Sequence, residues 1–90
     1  MVIKTNTFPI GNLVTHRRAV RTVAELGAIA REQRVAIGFK QEDVAGLGNT
    51  GTRFVGDLER GKPTVQLQMA LDLLDLIGLE VVIQPKSGGY

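Results

Sequence analysis

The stretch FKQEDVAGLGNTGTRFVGDLERGKP, residues 39–63, decides how the rest of this 90-residue chain is read. Lys40-Gln41-Glu42-Asp43-Val44-Ala45 has helix formers with acids in its first turn, where they complement the positive end of a helix dipole. Gly46, Gly48 and Gly51 then break the pattern. From Thr50 or Gly51 to Arg60 a second short helix fits, with Phe54, Val55 and Leu58 at i, i+1 and i+4 turned inward. Gly61 supplies its C-terminal stop and Pro63 forbids continuation. Two short helices around a tight turn bury little on their own, so they must lean on flanking elements.

Upstream, Thr22 and Glu25 have the capping-box spacing and predict a helix start. Val23, Leu26, Ala30 and Ile37 fall on one stripe, with Ile29 at its margin, and Gly38 ends the helix. Downstream, Thr64 is the expected cap of a helix reaching about Ile77. On its wheel Gln68, Asp72 and Asp75 share one narrow arc and nearly everything else is apolar, more than one core face needs. Leu79-Glu80-Val81-Val82-Ile83-Gln84 is rich in β-branched residues and reads as a strand ended by Pro85. Phe39, Phe54 and Leu67 are assigned to the core.

The expected organisation is an N-terminal arm at 1–21, a helical domain at 22–78, a strand at 79–84 and a tail at 85–90. The arm is irregular around Pro9 and Gly11, with a short strand conceivable only near Val2 to Thr7. A single strand cannot satisfy its own backbone groups, and the simplest partner is the same strand from a second copy. That pairing would set the surplus apolar helix face on a two-fold axis, where one patch covers itself. The interface expected from this is Leu73, Leu76, Ile77, Val81, Val82 and Ile83.

Composition is that of an ordinary globular chain, 43% apolar and 22% charged. The chain has no cysteine and a single histidine, His16, so thiolate chemistry is excluded and neither a metal site nor a cofactor is expected. No catalytic constellation stands out, and GLGNTG lacks the Lys-Ser/Thr ending of a phosphate loop. The opening residues lack a signal peptide's pattern, and a cytoplasmic, nucleoid-associated protein is expected. Net charge is +2 but uneven: residues 1–40 carry seven basic side chains against Glu25 and Glu32, and residues 41–90 carry four against seven acids. A basic front half suits a polyanion.

Residues 41–59 resemble the helix-turn-helix of the Cro/C1 repressor family. The resemblance rests on FKQEDVA and on ERGKP, whose first residue lies fourteen positions after Ala45. It implies a small residue, Ala45, where the helices cross, an apolar lock at Val55, and Gln41 opening the first helix beside the DNA backbone. Either Asn49 takes the left-handed position that the turn needs, or Leu47 and Gly48 take those roles and the turn is one residue longer. From about Thr22 to Gln84 the order of elements and the closing strand are similar to HipB-type antitoxins. That similarity implies a mainly α, lambda-repressor-like bundle of four to five helices with a C-terminal strand paired across a homodimer. It also implies operator DNA and a HipA-like kinase toxin as partners.

Within this frame Arg53 is the candidate base reader, bidentate on guanine O6 and N7. Thr50, Gly51 and Thr52 lie beside it at the helix start. Gln41, Lys40, Asn49, Arg60 and Lys62 are candidate DNA contacts, mainly to phosphate. Arg17, Arg18 and Arg21 are candidates for a minor groove. A stand-alone repressor and a protein-interaction adaptor without DNA binding are the alternatives. Burial of Arg53 and the threonines would favour the adaptor, because a DNA reader must expose them.

Overall fold

The computed structural model describes residues 1–5 and 17–86. His16 and the tail beyond Lys86 lie outside the described residues. The elements are β1 (Val2–Thr5), β2 (Arg18–Ala19), α1 (Val23–Ala36), α2 (Gln41–Leu47), α3 (Thr52–Glu59), α4 (Leu67–Leu76) and β3 (Leu79–Val82).

Helix α1 starts as its sequence requires, with Thr22 Oγ1 accepting from the Glu25 amide at 3.1 Å. Its C-cap is Ile37, and Gly38 follows with φ +82°. The buried face centres on Leu26, Ile29, Ala30 and Gln33, so Ile29 belongs to the middle of the stripe and Val23 and Ile37 to its edges. Gln33 is completely buried and its Nε2 donates 2.9 Å to the Ile77 carbonyl, satisfying one of the open acceptors at the end of α4.

Helix α4 begins two residues later than Thr64 suggests, with Gln66 as its cap. Pro63 and Thr64 instead occupy the middle of a turn closed by the Val65 amide on the Lys62 carbonyl at 3.1 Å. Proline's fixed φ suits the second position of such a turn. Ala70, Leu73, Leu74 and Ile77 point into the core. Leu67 does not: it is 59% exposed, because the late start of α4 leaves it on the first turn at the rim.

The arm is not irregular throughout. β1 lies between β2 and β3 in an antiparallel sheet of order β2-β1-β3. Val2 pairs with Val82 and Ala19, Ile3 with Val81 and Arg18, and Thr5 with Leu79. Ile3, Leu79 and Val20 join the core, with Val81 packed against it. β3 thus finds one strand partner within the chain, in the Val2–Thr5 stretch, and needs no second copy to satisfy that edge. The β-branched run Val2-Ile3 supplies a ladder and an apolar side chain from within the chain. Of the expected interface, Leu73 and Ile77 are buried in the chain's own core and have no surface to offer. Val81 and Val82 are half-buried, while Leu76 and Ile83 are exposed.

Candidate nucleic-acid interface

The two short helices stand where the sequence put them, and the turn between them is the shorter alternative. Asn49 has φ +54°, the left-handed position that closes the turn, and α2 runs through Gly46 to Leu47. The Thr50 amide donates 2.9 Å to the Ala45 carbonyl, tying the turn to α2. Val44 and Ala45 of α2 and Val55 and Leu58 of α3 are all buried, so the inner face of the pair is locked by apolar contact. On the outer face Gly51, Thr52 and Arg53 are exposed. Gly51 is the N-cap of α3, without a side-chain cap among the described residues, so the first-turn amides face outward at the positive end of the helix.

A polar clamp behind this surface holds α3 to both preceding helices. Arg34 grips Glu59 with two donors, Nε at 2.6 Å and Nη2 at 3.0 Å, and its Nη1 donates 2.7 Å to the Phe39 carbonyl. Gln41 Nε2 joins from the start of α2, donating 3.1 Å to Glu59 Oε1. Side-chain exposures of 11% for Arg34 and 4% for Glu59 put this pair out of bulk water, where such bonds are strong and breaking them is costly. Two turns before Arg34 on α1, Gly27 lets α1 lie directly on the end of α3. A Cβ there would come within 2.1 Å of the Leu58 carbonyl oxygen.

The candidate contacts divide as follows. Lys40 is exposed, and its amide is held by Asp43 Oδ2 at 2.8 Å, which caps α2. Gln41 is half-buried, with one amide hydrogen engaged by Glu59. Asn49, Arg60 and Lys62 are not enclosed: Asn49 and Arg60 are exposed outright and the Lys62 side chain is 49% exposed. Thr50 is half-buried, and its hydroxyl is buried with no hydrogen-bond partner among the described residues, unlike the exposed Thr52 and Arg53. The turn places Thr50 where its side chain packs inward. Arg18 is paired with Glu32 at 3.0 Å, whereas Arg17 and Arg21 are exposed.

No family model matches the chain. Over 66 residues it is 36% identical to an uncharacterized HTH-type transcriptional regulator, y4mF, of Sinorhizobium fredii (strain NBRC 101917 / NGR234), a match covering 73% of this chain and 87% of that protein. The chain belongs to the HTH-type transcriptional regulators. Four helices and a small antiparallel sheet are its fold, and among the described residues no helix is long and apolar enough to cross a membrane.

In this regulator α3 carries residues that sequence reasoning passed over. Asp57 shares the outward arc of α3 with Arg53 and Arg60, and Gly56 beside it is buried beneath the Arg60 guanidinium; the i, i+3 spacing of Asp57 and Arg60 was a usable signal. Arg34 and Glu59 are 25 positions apart and gave none.

Proposed function

We propose that the chain is a dimeric repressor that reads operator DNA by placing the Thr52–Arg53 end of α3 in the major groove. The observation that carries the reading is the exposure of Gly51, Thr52 and Arg53 on a helix whose opposite face is fully locked. An adaptor that had abandoned DNA would have no reason to leave an arginine and a threonine projecting there. Lys40, Gln41 and Lys62 flank the same surface and supply phosphate contacts.

Arg53→Ala is expected to weaken specific binding by about 1 to 3 kcal/mol and to relax preference at one base position in each half-site. Lys62→Ala should weaken selected and random DNA alike and flatten the dependence of log affinity on log salt by about one unit for each phosphate that is no longer neutralised. Titrations of both variants on both DNAs at several salt concentrations check this. An equal effect of Arg53→Ala on the two DNAs would make Arg53 a positioning residue and defeat the reading.

The dimer is supported by the sheet order, which leaves β3 at an edge with no strand on its other side among the described residues. Ile83, which directly follows β3, is 87% exposed and adds an apolar side chain there. An open, apolar strand edge is a pairing template that soluble proteins usually cover. The finer proposal, carried by the HipB-like order of elements, is that the dimer also holds a kinase-like toxin. A toxin reading frame beside this gene would support that proposal, and a lone regulator gene would leave a stand-alone repressor.

A further inference from the structure

We propose that Arg60 is a second base-reading arginine of α3, with Asp57 as its positioning residue and Gly56 as the space it occupies. The proposal rests on the DNA-binding reading above and assigns part of its sequence specificity. Arg60 is the C-cap of α3, at the end remote from Arg53, where a long side chain ordinarily trails into solvent. Here it folds back along the helix. Its Nη2 donates to Asp57 Oδ1 at 2.6 Å, one turn earlier. Its guanidinium lies over Gly56, where an added Cβ would meet Nη1 at 2.9 Å and Cζ at 3.6 Å.

The fold-back keeps the Arg60 guanidinium on the arc of α3 that also carries Arg53. Seven positions separate Arg53 from Arg60, so at 100° per residue they lie within about 20° of each other on the helix wheel. That arc faces away from Val55 and Leu58, both completely buried. The Arg60 guanidinium sits at the level of Gly56, about 4.5 Å along the axis from the Arg53 Cα. The two arginines thus rise from one stripe of the helix.

The chemistry of the pair fits reading rather than phosphate neutralisation. Asp57 takes one hydrogen of Nη2, which leaves the other Nη2 hydrogen and one on a neighbouring guanidinium nitrogen as a parallel fork, the geometry that matches guanine O6 and N7. Holding the side chain in one rotamer removes ordering that a free arginine would undergo on binding. An acid on a DNA-facing arc would otherwise repel the duplex. Asp57 is tolerable because its side chain is only 19% exposed and a second cation, Lys62 Nζ, lies 3.6 Å from its Oδ2.

The test is selection of binding sites from a randomised duplex pool by the unmodified protein and by Arg53→Ala, Arg60→Ala, Asp57→Asn and Gly56→Val, each checked for an unchanged unfolding midpoint. The unmodified protein should enrich two guanines per half-site. Arg60→Ala should erase one of them and Arg53→Ala the other. Asp57→Asn should reduce preference at the Arg60 position by about tenfold, the scale of a degraded bidentate contact, while binding to random DNA stays equal or tightens through removal of a negative charge. Gly56→Val, which displaces the guanidinium, should act at the same position. Unchanged base preference in Arg60→Ala, with equal weakening on selected and random DNA, would overturn the proposal and leave Arg60 a phosphate contact. Failure of the unmodified protein to enrich any sequence would overturn the DNA-binding reading and this one with it.

Discussion

The seam where α1 and α2 meet α3 and the layer where α4 meets β3 are built by different means. At the seam, α1 approaches so closely that Gly27 faces the carbonyls of Leu58 and Glu59, and Arg34, Gln41 and Glu59 lock the three helices with directional bonds. At the layer, Ala70, Leu73, Leu74, Ile77 and Leu79 pack by apolar contact, with the Gln33 bond to Ile77 as a polar pin. The seam presents its outer surface at fixed geometry. The layer keeps apolar groups at its margins, at Leu67, Leu76 and Ile83. A surface meant to dock on a rigid groove needs orientation without slack, which hydrogen bonds and backbone contact provide. A surface meant to meet another apolar surface needs only area.

The sharpest way to break this contrast is at Glu59. Glu59→Ala leaves the Arg34 guanidinium and the Gln41 amide without their acceptor, and a drop of about 3 kcal/mol in unfolding free energy is expected by urea titration. Gly27→Ala should follow at about 2 kcal/mol. The neighbours it meets are backbone atoms that cannot rotate away, and the clash exceeds the helix-propensity gain of about 1 kcal/mol. If either variant were neutral, the seam would be no stiffer than the layer. Thr50→Val should act in the opposite direction, raising stability by about 1 kcal/mol, because the substitution removes a buried hydroxyl that has no partner while keeping its shape. Ile83→Glu should change the stability of the folded chain by less than about 0.5 kcal/mol, since the side chain lies almost wholly in solvent. Its effect belongs to association: sedimentation should show a dimer for the unmodified protein and a monomer for the variant. A variant that stayed dimeric would place the contact elsewhere.

Much of the fold is legible locally. The Thr22–Glu25 box and the stop at Gly61 are decided by neighbours in sequence, because caps are satisfied within a few residues, whereas the structure chose Asn49 over Leu47 and Gly48 for the turn. The start of α4 is hard to place because two local rules compete: Thr64 is a fair helix cap, but Pro63 beside it is a better turn residue. For the site, exposure of Thr52 and Arg53 follows from helix phase, whereas the inward hydroxyl of Thr50 does not, since threonine is at home on either side of a surface.

By itself the sequence determined the two short helices of residues 41–59, the small and apolar residues that let them cross, and the arc of α3 that faces outward. All of these follow from helical periodicity and from backbone conformations that only certain residues adopt. Only the tertiary structure decided what β3 pairs with, because β1 lies about 75 residues away and a four-residue strand carries no address. The same holds for the clamp of Arg34 on Glu59 and for the seat of Arg60 over Gly56. Each depends on where a long, flexible side chain comes to rest, which is set by the charges and free space around it once the helices are in place.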